Sequence, residues 1–325
     1  MKHEEFQPRT AVREEKRQAF EALGRSFCKT LAEPITNSDS SAKKKLKLPQ
    51  SSGLLDLMMT VPKGSQLDTA ALRERLVGRF AKREIDVEVV TAKSSGRPAR
   101  EVVIIDQAEG MAPQIVREAL DEIGGDKIGL SGGVAGRNLF GRGLSDVMRA
   151  HSEPVIETFD GKQLTIARGV WDGRWTIKRD IYDGAETKAQ LKNTSLNPAS
   201  TGTAVRFVMS TGSQGCHIPD HPQILWRLAN FYMLRLIASD PNVELILRQH
   251  RAAGVIEDRI QYDFPVGQVL ESSTRTFDTS KWGLEQQALK VDFMVARDES
   301  TRKPRGLGLD RDARENGILI VDDLA

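Results

Sequence analysis

The chain has 325 residues, of which 39% are hydrophobic and 28% are charged, and this is typical of a globular protein with one or two domains. A formal net charge of +2 gives no overall field that favours nucleic acid or an anionic membrane as a partner. The two cysteines, Cys28 and Cys216, lie far apart, the N-terminus has no apolar signal core, and no long apolar run occurs. We therefore expect a cytoplasmic chain with free thiols and no membrane segment.

The N-terminal part of the chain predicts a flexible end followed by a long helix. Residues 1–13 are polar. Apolar residues then recur at helical spacing, at Phe20, Leu23, Phe27 and Leu31. Glu33 and Asn37 lie four positions apart, so they would share a polar face on which a carboxylate could activate water and a carboxamide could hold a metal ion. A solvated helix end is the alternative, and Pro34 predicts a kink.

Short elements are predicted between residues 40 and 100. The segment 40–49 contains four lysines, which could contact phosphates, although such a run is more commonly a solvated helix end or loop. An apolar piece at 54–61, a helix-like stretch at 69–81 and an alternating strand at 86–91 follow.

A run of branched apolar residues from Val102 predicts a buried strand that ends on Asp106, before a turn closed by Gly110. The carboxylate at this strand end could accept hydrogen bonds from a ligand, although many strands simply end in Asp and a turn. A helix follows, with Pro113 in its first turn and Gly124 at its end.

The segment 124–143 contains eight glycines and precedes a short helical pattern at 145–150. A glycine loop that leads into a helix N-terminus offers free backbone N–H groups and a positive dipole end, which suits a polyphosphate. A flexible surface loop is the alternative. The segment is not a Walker loop, because no Gly-Lys-Ser/Thr follows.

The second half of the chain predicts mostly strands. Four strands at 154–158, 163–168, 174–179 and 203–209 would form an antiparallel sheet with Asp-Gly turns at 160–161, 172–173 and 183–184. Asp220 is expected to cap a helix that reaches Leu234. Further strands are predicted at 243–248, 255–264, 289–296 and 317–321.

Four motifs now stand in one order along the chain. They are Glu33-Pro-Ile-Thr-Asn37, Asp106-Gln-Ala-Glu-Gly110-Met111, Gly136-Arg-Asn-Leu-Phe140-Gly141-Arg142-Gly143 and Thr201-Gly-Thr203. Together they resemble the nucleotide-binding motifs of the GHKL ATPases, which include gyrase B subunits, heat-shock-90 chaperones, histidine kinases, MutL and MORC proteins. The resemblance implies an α+β fold of the Bergerat type, a mixed and mainly antiparallel sheet covered by helices on one face.

The resemblance also implies a role for each motif, with ATP and Mg²⁺ as ligands. Glu33 would orient and deprotonate the water that attacks the γ-phosphate, and Asn37 would bind Mg²⁺. Asp106 would accept a hydrogen bond from the adenine amino group, supported by a hydroxyl or water contact from Thr203. The remaining residues would line the base pocket or close a lid over the phosphates: Gly110, Met111, Gly136, Phe140, Gly141, Arg142 and Gly143.

The motifs depart from the family pattern at several positions. Ser40 stands where the family usually has Asp, and Asp39 lies one place early. Ala108 replaces a glycine of the turn, and Ser145 and Asp146 follow Gly143 where many relatives have a lysine. We therefore expect ATP binding with slow hydrolysis.

The resemblance divides the chain into three parts. Residues 1–13 would be a flexible N-terminus, 14–250 the ATP-binding domain with its lid at 124–143, and 251–325 part of a smaller α/β transducer-like domain of a longer natural chain. That second domain would direct a lysine to the γ-phosphate, and Lys281, Lys290 and Lys303 are open candidates.

Three functions remain open on this basis. The first is an ATP-operated module that forms a homodimer, with an output domain that acts on DNA. The second is a chaperone-like ATPase that clamps a protein client, and the third is an interaction module that binds nucleotide without hydrolysis.

Overall fold

The computed structural model describes residues 1–7, 26–48, 53–94, 97–121, 143–171, 175–210, 218–264, 266–278, 288–296 and 318–319. In this part of the chain the fold is mixed α/β, with a large, mostly antiparallel sheet of nine strands and eight α-helices. No helix within it is long and apolar enough to cross a membrane. The predicted lid at 124–142 lies outside the described residues, and with it Gly136, Phe140, Gly141 and Arg142.

The helices are α1 Phe27–Lys45, α2 Gly53–Met59, α3 Thr69–Glu74, α4 Pro113–Asp121, α5 Gly143–Ala150, α6 Gly184–Leu191, α7 His221–Asn230 and α8 Arg235–Ser239. The strands are β1 Lys2–Phe6, β2 Gln66–Leu67, β3 Arg83–Ser94, β4 Arg97–Asp106, β5 Ser152–Phe159, β6 Gln163–Trp171, β7 Trp175–Asp183, β8 Gly202–Ser210, β9 Val243–Arg251, β10 Gly254–Arg259, β11 Gly267–Asp278, β12 Ala288–Ala296 and β13 Ile318–Leu319.

The large sheet has the strand order β1-β7-β6-β5-β8-β4-β3-β9-β10. Its one parallel pair is β3 with β9, and the other pairs are antiparallel, as the alternating patterns predict. The strand β4 lies near the centre, so its last residue, Asp106, is opposite Ile85 on β3 and Thr203 on β8. The sheet register therefore brings the predicted second and fourth motifs together.

The smaller sheet has the order β13-β12-β11-β2. Its strand β2 comes from the predicted ATP-binding domain, while the other three come from the predicted second domain. In addition, β10 pairs with β9 and so extends the large sheet to Arg259. The boundary at residue 250 and the transducer-like character of 251–325 stay predictions.

The core lies mainly on the sheet face that carries Ile104 and Phe207. Leu31 and Ile35 of α1 are buried against this face. Val116 of α4 is buried in a second cluster on the same side, with residues of α5, β5, β6 and β7. The helix α6 packs on the opposite face, where its Leu191 is buried with Val103 and Ala204. The expectation of helices on one face only is therefore wrong for α6.

Several local predictions need correction. Residues 2–6, which were expected to be flexible, form β1 and pair with β7, because that edge strand offers unpaired backbone groups. The helix predicted at 69–81 ends at Glu74. Gly184 does not close a hairpin but begins α6, and the helix capped by Asp220 ends at Asn230 before a 3₁₀ turn and α8.

Candidate functional site

Asp106, at the end of β4, is the centre of a converging set of hydrogen bonds. Its side chain is 6% exposed. Oδ2 accepts from the hydroxyl of Ser38 at 2.7 Å, and Oδ1 accepts from the backbone N–H groups of Ala108 at 3.0 Å and Thr203 at 3.1 Å. Burial raises the pKa of the Asp106 carboxyl above its ordinary value, against the opposing effect of these donors.

Within the described part of the chain, these three donors contact the carboxylate of Asp106. Two carboxylate oxygens offer about four lone-pair sites, and three of them are occupied. An N–H of a ligand could take the remaining one.

The hydroxyl of Thr203 has a different partner from the one expected. Thr203 supports Asp106 through its backbone N–H, whereas its Oγ1 lies 3.0 Å from the hydroxyl of Thr158 on β5. Thr158 also accepts from the backbone N–H of Met111 at 2.7 Å. One hydroxyl pair thus ties the start of β8 and the end of β5 to the segment after Asp106.

Gly110 and Gly202 have physical reasons to be glycine. Gly110 has φ +73°, and a Cβ there would collide with the carbonyl of Phe159. A Cβ on Gly202 would lie 3.2 Å from Cα of Gln107 and closer still to the carbonyl of Asp106. Both glycines allow backbone segments to pack tightly around the end of β4.

The departure at Ala108 fits the structure. Ala108 is buried, donates its N–H to Asp106, and is not among the described residues with positive φ. A glycine is therefore unnecessary at this point of the turn.

The helix α1 connects this centre with the start of α5. Ser26 caps the helix, and Pro34 lies inside it, yet the helix continues to Lys45. Ser38 contacts Asp106, while Glu33 lies against Gly143, where an added Cβ would lie 3.0 Å from Cδ of Glu33 and closer to its carboxylate. Five residues of helix separate these two contacts by about 7.5 Å along the axis.

Asn37 lies between these two contacts in sequence. It follows Glu33 by one helical turn and, like it, is half-buried. Glu33 and Asn37 therefore share one face of α1, whereas Ser38, five positions after Glu33, is rotated from it by about 140° around the helix axis.

The helix α5 is held against α1 at its other end as well. His151, which directly follows α5, has Nε2 3.2 Å from the hydroxyl of Thr30 and stacks on Phe207 at 4.7 Å. Burial lowers the pKa of His151 to about 4, so the imidazole is neutral at neutral pH. These contacts fix the C-terminal end of α5 relative to α1 and β8.

Asp39 does not take the role of the acid expected at position 40. It is 2% exposed and forms ion pairs with Lys43 at 2.9 Å and Arg83 at 3.2 Å, and Arg83 also pairs with Asp240 at 2.6 Å. This buried cluster joins α1 to the starts of β3 and β9. The contact with Asp106 comes instead from Ser38.

The lysine run on α1 is not uniformly solvated, because Lys43 is buried, and that interpretation is wrong for this member. Lys43 is buried in the ion cluster, and Nζ of Lys45 donates to backbone carbonyls of the turn after Asp106. Lys44 and Lys45 are both exposed, and Lys44 forms a salt bridge to Glu109 at 3.1 Å. Periodicity on α1 could have indicated this division, since Ser38 and Lys45 lie seven positions apart on one face.

The oxygen side chains at this site also suit the predicted ligands, ATP and Mg²⁺. The described residues contain no group of three or more His, Cys, Asp or Glu side chains that could hold a metal. Mg²⁺ at a nucleotide site needs only one or two oxygen side chains, because substrate phosphates and water supply the rest. The carboxamide of Asn37 and the carboxylate of Glu33 offer such oxygens.

Sequence reasoning missed Ser38 and Thr158, and it included Lys45 in the lysine run and Thr201 in the fourth motif without predicting their contacts with this turn. None of them stands out by type, since Ser, Thr and Lys are common in loops and helix ends. The side chains of Lys281, Lys290 and Lys303 lie outside the described part of the chain.

A comparison with models of known protein families finds no match for this chain, and a comparison with curated proteins finds none either.

Proposed function

We propose that this chain binds ATP with Mg²⁺ between α1, the end of β4 and the start of α5, and hydrolyses it slowly. The observation that carries the proposal is that one helix, α1, contacts both elements: Ser38 contacts Asp106 and Glu33 lies against Gly143. The resemblance of the four motifs to the GHKL ATPases supports the same ligand and a Bergerat-type arrangement.

The base would lie beside Asp106, where Ser38 of α1 contacts the carboxylate. An ionised carboxylate accepts hydrogen bonds and cannot donate them, so the free lone pair of Asp106 suits the amino group of adenine. Gly110 lets the turn pack against the backbone of Phe159, and Met111 is half-buried against the apolar cluster of α4 and α5. The pocket therefore combines one acceptor with apolar walls, as small-molecule sites commonly do.

The phosphates would lie beside Gly143. The N-terminus of α5 contributes backbone N–H groups and the positive end of a helix dipole. Asn37 would hold Mg²⁺, which neutralises charge on the phosphates when bound. Glu33 would orient the attacking water and take its proton.

Closure of the lid and formation of a homodimer are the further parts of the proposal. Ordering of a loop by nucleotide phosphates is a general switching device. The lid residues Gly136, Phe140, Gly141 and Arg142 would close over the nucleotide, and hydrolysis would reopen the two protomers. The output, on DNA or on a protein client, is the least supported part, since a net charge of +2 does not favour tight DNA binding by this chain alone.

The test is to measure ATP binding and turnover with Mg²⁺ on the wild type, Glu33→Ala and Asp106→Asn, at several protein concentrations. We expect the wild type to turn over ATP at a rate per chain that rises with concentration. Glu33→Ala should bind without turnover, and Asp106→Asn should lose binding. Binding by the wild type without any turnover would instead support the non-hydrolysing module, and no adenine-nucleotide binding would refute the proposal.

A further inference from the structure

Lys45, the last residue of α1, makes two contacts with the turn that follows Asp106 and one with Thr201, which precedes β8. Its Nζ donates to the carbonyl of Gln107 at 2.7 Å, to the carbonyl of Ala108 at 3.1 Å and to the hydroxyl of Thr201 at 2.9 Å. An ammonium group has three N–H donors. All three therefore have acceptors in one short turn and in the segment that enters β8.

The same turn is held from its other side. The hydroxyl of Thr201 also contacts the carbonyl of Ala108, and the hydroxyl of Ser200 lies 3.3 Å from the side-chain oxygen of Gln107. The N–H of Ala108 is in turn one of the donors to Asp106. Movement of the turn would thus move a hydrogen bond that orients the carboxylate.

Lys45 also affects the pKa of the Asp106 carboxyl. Burial raises the pKa of Asp106, whereas Ser38, the amides of Ala108 and Thr203 and the positive charge of Lys45 lower it. Lys45 is the one cation among these groups. Its loss would remove both a mechanical support and an electrostatic one.

We propose that Lys45 is a positioning residue for the nucleotide base: it holds the turn beside Asp106, keeps Asp106 an acceptor and thereby selects adenine over guanine. Adenine presents an amino donor where guanine presents the O6 acceptor. An acceptor-only carboxylate favours the first and repels the second. This inference rests on the proposed nucleotide site and assigns the determinant of its base preference.

The test compares Lys45→Met and Lys45→Arg with the matched control Lys44→Met, whose lysine side chain is 72% exposed and forms a surface ion pair. Dissociation constants for ATP, GTP and inorganic tripolyphosphate are measured on the full chain between pH 5 and 8. Lys45→Met should weaken ATP binding about tenfold, lower the ratio of ATP to GTP affinity and move the acid limb of ATP binding to higher pH. Tripolyphosphate binding should be unchanged.

Lys45→Arg should retain most of the adenine preference, because it keeps the charge, and Lys44→Met should match the wild type. An equal loss of tripolyphosphate and ATP affinity in Lys45→Met would place the lysine at the phosphates and overturn the proposal. Unchanged ATP affinity would overturn it too, while leaving the nucleotide site itself intact.

Amide hydrogen exchange without nucleotide separates this inference from the proposed function. Lys45→Met should speed exchange at Ala108, and Lys44→Met should not. Unchanged exchange at Ala108 would overturn the role of Lys45 in holding the turn, whether or not the chain binds nucleotide. If the wild type binds no nucleotide, the proposed function fails and the base preference fails with it.

Discussion

The hydroxyl of Ser38 on α1 donates to Oδ2 of Asp106 at 2.7 Å, across 68 residues of sequence. This hydrogen bond sets the rotation of α1 relative to β4, because it connects a fixed point of the helix to the end of a central strand. It also places Ser38, rather than Ser40 or Asp39, beside the predicted base acceptor.

Replacement of Ser38 by Ala should weaken ADP binding about fivefold, which corresponds to one hydrogen bond of ordinary net strength. The lost donor both orients Asp106 and favours its ionised form. Isothermal titration calorimetry on Ser38→Ala and on Ser40→Ala measures the effect. A larger loss in Ser40→Ala would show that position 40 keeps the role that it has in the family pattern.

The affinity for ADP should fall as the pH falls, because binding requires ionised Asp106. Since burial raises the pKa of this carboxyl, the midpoint of the fall should lie above the ordinary value of 3.8. Titrations at a series of pH values measure it. A midpoint below 3.8 would mean that the donors around Asp106 outweigh its burial.

The stability of Asp106→Asn provides a second measurement with a defined sign. A carboxyl whose pKa is raised by folding contributes stability that is fully present below its unfolded pKa and is lost as pH rises through the folded pKa. The variant should therefore gain stability relative to the wild type as pH rises from about 3.8. Urea unfolding midpoints of the variant and the wild type, measured across this pH range, test the prediction. A difference in midpoint that stays constant with pH would contradict a raised pKa of Asp106.

Gly143→Ala should destabilise the protein by about 0.5–1.5 kcal/mol, because the added Cβ forces the carboxylate of Glu33, the far end of a flexible side chain, to move. The cost should be much smaller in a Glu33→Ala background, where the colliding carboxylate is gone. A double-mutant cycle from urea unfolding tests the coupling. Equal costs in the two backgrounds would show that Gly143 is required for a different reason.

Gly110→Ala should cost about 3 kcal/mol or more, since it combines positive-φ strain with a collision against the carbonyl of Phe159. Gly78 is the matched control, with φ +70° and nothing within 4 Å of an added Cβ. Gly78→Ala should cost only about 1 kcal/mol. Similar free energies of unfolding for the two variants would argue against tight packing at Gly110.

Local features of the fold were predictable because neighbouring residues determine them. The alternating apolar pattern predicts β4 and its antiparallel neighbours, and Asp220 caps α7 through a hydrogen bond to Gln223 at 3.2 Å. The turn at 160–161 forms as expected, with Gly161 at φ +95° and Asp160 accepting from the N–H groups of Lys162 and Gln163.

Other features depend on partners that are far away in sequence. The pairing of β1 with β7 joins residues 2–6 to the far edge of the sheet, and no local pattern contains that information. Three identical and adjacent residues make different contacts: Lys43, Lys44 and Lys45. Only the rotation of α1 against β3 and β4 decides which side chain is buried and which contacts the turn.

The sequence by itself determined the strands β3 to β8 of the large sheet, the acid at the end of β4 and the glycine of the turn that follows it. Periodicity, capping and turn chemistry depend on residues that are close together in the chain, so the local sequence encodes them. Tertiary structure decided which polar groups surround Asp106, that Asp39 belongs to a buried ion cluster, and that Glu33 meets Gly143. These contacts depend on the packing of α1 against the sheet, which hydrophobic burial across the whole chain establishes.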